Sequence, residues 1–225
     1  MKIKFYAHAS FRLEGDGLAV VTDPYTPGPE VSGFAPIDEP ADIVVMSSAT
    51  DRFHSDPSHI TGNPVVVNAV EVPPEGVTVR GLHIRSWPSM ESLTWDFGRN
   101  PDPNAMYSFT LDGLRILHLG DIGNPLAPEH LDALAGQIDV MFALTGGHAT
   151  IALDDLDAAI QAIRPAVVIP MHYYSPHGRL KIDPVSEFTR RYPAEMVTFV
   201  GSPALEITRP GLPASLHIYV LEQSR

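Results

Sequence analysis

The sequence predicts an α/β fold with two β-sheets and helices packed outside them. Three observations lead there. The amino-terminal half is a succession of short β-branched or alternating runs; two connections are Gly/Asp turns of the hairpin kind; and beyond residue 124 strands alternate with helical segments. A doubly wound parallel sheet would need helical crossovers in the first half, and none is legible there. The 225 residues are read as a single domain, 1–225, because no low-complexity linker or short-period repeat divides them.

In chain order, "KIKFYAHASFRLEG" and "LAVVTDPY" flank the turn "GDG" and read as a hairpin. "YTPGPEVSGFAPIDEP" carries too many breakers for either regular state and reads as a loop. "ADIVVM" and "NPVVVNAV" are short apolar runs of the buried-strand type. "GVTVRGLHIRSW" alternates, and "MYSFTLDGLRILHLGD" forms a second hairpin about "DG". The stretch between them, "PSMESLTWDFGRNPDPN", reads as an exposed loop, with Trp87, Trp95 and Phe97 available to cover a cleft or a partner surface or, equally, to pack onto their own domain. "APEHLDALAG" opens on proline and acid and closes on glycine, the signals of a short helix. "IDVMFAL" and "AVVIPMHY" are strands around the amphipathic helix "ALDDLDAAIQAI". A short helix in "DPVSEFTRRY" and strands "EMVTFV" and "SLHIYVLE" close the chain.

Composition narrows the function classes. A formal charge of −12 disfavours a nucleic-acid partner, which needs clustered Lys and Arg. The absence of cysteine excludes disulfides, thiolate zinc sites and cysteine nucleophiles. No apolar run is long enough to span a bilayer and the amino terminus does not resemble a signal peptide, so a cytoplasmic protein without a membrane partner is expected. A small-molecule ligand is the expected partner, and the oligomeric state is left open. There is no G-x-S-x-G elbow, phosphate-binding P-loop or dinucleotide fingerprint.

Four polar residues fall just past apolar strands, where side chains face a cleft: Asp23, Asp121, His148 and His172. A fifth candidate region is the loop "SSATDRFHSD", Ser47 to Asp56, which follows the strand "ADIVVM". Asp51 and His54 stand three apart in it and would share a face if the loop turned helically. His8, in "HASF", reads as a buried, hydrogen-bonded histidine; His83 and His217 read as structural strand residues and His59 as a surface residue.

The order and register of "YAHASFRLEGDGLAVVTDPY", "ADIVVMSSATDRFHSD", "GLHIRSWPSMES", "GLRILHLGDIGNPLAPEHL", "IDVMFALTGGHATI" and "RPAVVIPMHYYSP" resemble the metallo-β-lactamase fold family, most of all its small metal-dependent hydrolases related to ascorbate-6-phosphate lactonase. The resemblance spans residues 1 to about 192, with "GDIGNPL" and "VVIPMHY" its specific parts. It implies an αββα sandwich of two mixed sheets with a metal site at one rim. The family holds two divalent ions, usually zinc or manganese, through a His-x-His-x-Asp-His loop followed by a His, an Asp and a final His. Imidazole and carboxylate suit such ions, which together activate a water for hydrolysis.

Carried onto this chain without gaps, the His-x-His positions fall on Ser48 and Thr50, the Asp on Arg52 and the next His on Phe53. The later His corresponds to Glu91, and only Asp121 and His172 keep the family's ligand types; His148 and Thr150 fall in a cleft-lining segment. The expectation favoured by this pattern is a non-hydrolytic binding or structural relative that has lost its binuclear centre, keeps the cleft and needs no cofactor. In it, Arg52 would neutralise Asp121 or Glu91, while Ser48, Thr50, Asp23 and His148 line the cleft. The alternative is an active hydrolase of an ester, lactone or phosphoester with one zinc or manganese ion held by some of Asp51, His54, Glu91, Asp121 and His172.

Overall fold

The computed structural model describes residues 1–51, 53–92, 102–147 and 150–225. Its first sheet has six strands in the order β13-β1-β2-β3-β4-β5. These are Lys2–Ala7 (β1), Ser10–Gly15 (β2), Leu18–Thr22 (β3), Ile43–Met46 (β4), Val65–Asn68 (β5) and Ala204–Glu206 (β13). The second sheet runs β12-β14-β11-β10-β9-β8-β7-β6. It comprises Val77–Val79 (β6), Leu82–Ser92 (β7), Asp102–Leu111 (β8), Leu114–His118 (β9), Val140–Leu144 (β10), Val167–Met171 (β11), Val197–Phe199 (β12) and His217–Val220 (β14). The helices are Pro128–Leu134 (α1), Leu153–Ile163 (α2) and the single turn Ser186–Thr189 (α3).

Both sheets are mixed. β1, β2 and β3 form an antiparallel meander, and β3, β4 and β5 then run parallel. In the second sheet β6 to β9 are antiparallel, while β9, β10, β11 and β14 run parallel. The inner faces meet in one core in which Phe5, Phe11, Leu13, Val20 and Ile43 from the first sheet face Ile84, Phe109, Leu117 and Phe142 from the second. Phe11 lies 4.4 Å from Phe5 and 4.5 Å from Phe142, centroid to centroid, so it joins the two layers. Alternation explains the outer helices: Leu82 and Ile84 point into the core, whereas His83, Arg85 and Trp87 face the groove bordered by Ala133 and Leu134 of α1.

The outer face of the first sheet is covered differently. Tyr25, Phe34 and Ile37 of the proline-rich segment pack with Ala41 and Ile60 onto Tyr6, Val21, Val44 and Met46. This explains why β4 is buried on both faces although no α-helix precedes or follows it directly.

Four expectations need correction. The strand expected to run through "KIKFYAHASF" breaks at His8, whose φ of 58° is a left-handed backbone that ends β1. "PSMESLTWDFGRNPDPN" is not all loop: β7 continues to Ser92 and β8 begins at Asp102. Trp87 lies in β7 and is buried, with its indole N–H donated to Ser108; Trp95 and Phe97 lie outside the described residues. "NPVVVNAV" is an edge strand, and its Val65 and Val66 are exposed.

Candidate metal centre

Parallel strands ending side by side bring loops from both sheets to one rim. Asp23 follows β3, Ser47 follows β4, Asp121 follows β9 and His172 follows β11. Backbone bonds tie these ends together: Ala105 N donates to Ser47 O at 2.9 Å and His172 N to His8 O at 2.8 Å. Gly120 lets the β9 loop come close. Its φ is +63°, and a Cβ there would stand 2.6 Å from Ser47 Cβ and 2.8 Å from Asn104 Oδ1. Asn104 Oδ1 accepts from Asp121 N at 3.0 Å and so fixes the carboxylate-bearing residue.

The loop after β4 brings Asp51 and His54 side by side. Asp51 Oδ1 accepts from Phe53 N at 2.5 Å, His54 N donates to Asp51 O, and the turn sets His54 Nε2 3.7 Å from Asp51 Oδ1. Glu91 comes in from the far end of β7. The ligand atoms of Asp51, His54 and Glu91 lie within 4.8 Å of one another, and all three residues are buried. His54 Nε2 also lies 3.1 Å from Asp121 Oδ2, whose other oxygen, Oδ1, is 3.4 Å from His172 Nε2.

The electrostatics are those of a cation site. Burial disfavours a charge on His54, but the hydrogen bond to Asp121 and the carboxylates of Asp51, Asp121 and Asp23 outweigh it and raise its pKa to about 10. Burial likewise pushes the Asp121 carboxyl up, yet His172, His54 and His8 hold it well below the usual carboxylate range. His172 is lowered by burial, against the pull of Asp121. Three acids buried at one rim are costly without positive charge beside them, and their field is what favours the protonated form of His54.

An inner layer supports the rim. Asp23 is fully buried and accepts from Ser47 N at 2.6 Å and from the Tyr107 hydroxyl at 2.9 Å. His118 donates through Nε2 to Ala9 O and accepts at Nδ1 from Gly120 N, both at 3.0 Å, which makes it the neutral Nε2–H tautomer. Burial lowers its pKa in agreement with that assignment. Ser47 Oγ lies 3.4 Å from His54 Nδ1, leaving Nε2 directed at the acids.

The structure thus brings Asp51, His54, Glu91, Asp121 and His172 together and places Asp23 directly beneath them. Ser48 and Thr50 bond to each other, Oγ to Oγ1 at 2.9 Å. Arg52 and His148 lie outside the described residues, so the pairing of Arg52 with Asp121 or Glu91 has no geometric account here. His59 is not a free surface group: Nδ1 accepts from Ile37 N, and Nε2 is 2.8 Å from Tyr25 O. His8 is buried as expected, but its Nε2 has no hydrogen-bond partner. Sequence reasoning set His8 aside, and the only available signal was its place in a short polar break between two apolar strands.

A two-sheet fold whose rim gathers imidazoles and carboxylates defines a class of metal-dependent hydrolases and their relatives. The chain belongs to the beta-lactamase superfamily, whose domain profile matches residues 2–172. Among similar proteins, a UPF0173 metal-dependent hydrolase of Thermococcus onnurineus is 27% identical over 195 residues, covering 77% of this chain and 84% of the relative. Another, of Pyrococcus furiosus, is 29% identical over 196 residues with the same coverage. A solved structure from Thermotoga maritima, described as a candidate Zn-dependent hydrolase of the metallo-beta-lactamase superfamily, superposes with a TM-score of 0.77 at 27% identity over 99% of both chains. Igni18, a metallo hydrolase of Ignicoccus hospitalis, shares the fold with a TM-score of 0.60 at 20% identity, covering 84% of this chain and 89% of its own.

The donor set fits a divalent ion. It combines borderline nitrogen with hard oxygen ligands, and it leaves Asp121 Oδ1 buried without a hydrogen-bond partner. The expectation of a lost centre rested on the gapless placement of Ser48, Thr50, Arg52 and Phe53. It gains no support from a rim where Asp51 and His54 of the same loop gather with Glu91 from β7, nor does the expectation that no cofactor is needed.

Proposed function

We propose that the protein is a metal-dependent hydrolase of an ester, lactone or phosphoester, with one zinc or manganese ion held by Asp51, His54, Glu91, Asp121 and His172. The observation that carries this reading is the buried convergence of Asp51, His54 and Glu91 within 4.8 Å. When bound, such an ion supplies Lewis-acid polarisation of the substrate and activation of water.

The chain's own residues prepare the site for it. The three carboxylates would provide the negative field, and His54 would serve as a ligand through Nε2 in its neutral form. Ser47 holds the opposite edge of the His54 ring, and Asn104 holds the Asp121 backbone, so neither ligand depends on the ion for its position. Phe53, Phe34 and Tyr173 line a small cleft beside His8 and give that side of the site an apolar wall.

The test is hydrolysis of p-nitrophenyl acetate, γ-thiobutyrolactone and bis(p-nitrophenyl) phosphate by zinc- or manganese-loaded protein. At least one should be turned over, with activity lost on chelation and in Asp121→Asn. Metal-loaded protein inert toward all three would instead favour the non-hydrolytic binding relative, for which the hydroxyls of Ser48 and Thr50 in place of imidazoles speak.

A further inference from the structure

The proposed ligand set contains two imidazoles, yet a third stands against it. His8 occupies the turn between β1 and β2, and its ring packs on that of His172 with centroids 4.1 Å apart and planes 39° from parallel. Its centroid is 6.1 Å from that of His54. Its backbone carbonyl accepts from His172 N, so the two residues are locked together at main chain and ring.

Two features of His8 have no explanation in packing alone. A φ of 58° strains an L-residue with a β-carbon, and glycine or asparagine would relieve it. Its Nε2 is buried and unpartnered, a further cost when no water or ion completes it. Nor is it alone. Of the seven buried side-chain polar atoms without a hydrogen-bond partner among the described residues, three belong to His8, His172 and Asp121. The orphaned atoms are His8 Nε2, His172 Nδ1 and Asp121 Oδ1, and the residues are adjacent through the ring contact and the 3.4 Å approach of the other His172 nitrogen, Nε2, to Asp121 Oδ1. Unpaired buried polar atoms gathered in neighbouring residues call for a group that completes them.

The geometry points to His8 as a further ligand of the metal centre, contributing Nε2 as a third imidazole beside His54 and His172. The inference rests on the metal-dependent reading above and extends it. A third nitrogen shifts the site's preference toward zinc and away from magnesium or calcium, which favour all-oxygen shells. It also accounts for an imidazole kept in a strained backbone position at the rim of the site.

The test is X-ray absorption at the zinc edge of the zinc-loaded protein, with zinc affinity measured against a chromophoric chelator. The variant is His8→Asn, because asparagine tolerates the left-handed backbone. The wild type should show three imidazoles; His8→Asn should show two and bind zinc at least tenfold more weakly. A wild type with only two imidazoles, or an unchanged count in His8→Asn, overturns the assignment while leaving the metal-dependent reading intact. A wild type that takes up no zinc overturns both. If His8→Asn does not fold, the wild-type count decides alone.

Discussion

Asp23 shows how one buried carboxylate organises the rim without joining it. Lying on the β3 end with a φ of 36°, it holds the backbone of Ser47 and the hydroxyl of Tyr107. A hydrogen bond to a buried charged acceptor contributes about 1.5–3 kcal/mol, so Tyr107→Phe should lower the unfolding free energy by about 2 kcal/mol in urea titrations. Zinc stoichiometry should be unchanged, because Tyr107 touches Asp23 rather than the ion. Loss of the ion in Tyr107→Phe would mean that Asp23 itself belongs to the ligand set. Gly120 is the second residue on which the rim depends. Gly120→Ala places a β-carbon against Ser47 and Asn104 in a left-handed backbone. A loss of about 2 kcal/mol is expected, together with weaker zinc binding as Asp121 is displaced. Wild-type affinity in Gly120→Ala would show that the close approach of the two loops is not needed.

At the scale of elements, the two central strands of the second sheet are tied together at the end opposite the rim by Asp139, which precedes β10. It accepts from the Arg115 backbone and, through both oxygens, from the Arg115 guanidinium, and it pairs with Arg209 from the carboxyl-terminal segment. Burial raises the Asp139 carboxyl, but these arginines outweigh burial and hold it below its usual value. A depressed folded-state pKa contributes stability that is present above the unfolded value of about 3.9 and lost as pH falls through the folded one. Asp139→Asn should therefore flatten the acid limb of the stability curve below about pH 4, measured by thermal unfolding across pH. An unchanged acid limb would remove Asp139 from the account.

The elements themselves were legible where periodicity is local. β4, β10 and β11 are β-branched or apolar runs, and α2 has acids in its first turn with Leu156, Ala159, Ile160 and Ile163 on its buried face. The break at His8 was not, because a left-handed histidine leaves no mark on hydrophobic alternation. The outer cover of the first sheet was not either: Tyr25, Phe34 and Ile37 are spread through a proline-rich segment and meet only in three dimensions. Short β13 escaped notice because three residues carry no period. The site was half legible. Asp121 and His172 stand at strand ends and Asp51 with His54 at a turn spacing, but Glu91 lay in a stretch read as loop that is in fact the end of a long strand.

At the scale of the whole molecule, two sheets carrying a −12 formal charge close on a rim rich in acids. Among the described residues no helix is long and apolar enough to cross a membrane. An ion that binds only the folded chain stabilises it by about 2.7 kcal/mol at a hundredfold excess over its dissociation constant. The melting temperature should rise with added zinc or manganese and fall back on chelation. The central claim, that Asp51, His54, Glu91, Asp121 and His172 hold a divalent ion, is tested most directly by elemental analysis. The protein would be purified without chelator, offered zinc and manganese, and freed of loose metal by dialysis. The account predicts about one tightly held ion per chain, absent from His54→Ala and from His172→Ala. Protein that stays metal-free after both additions, or the same metal content in those two variants, would contradict it.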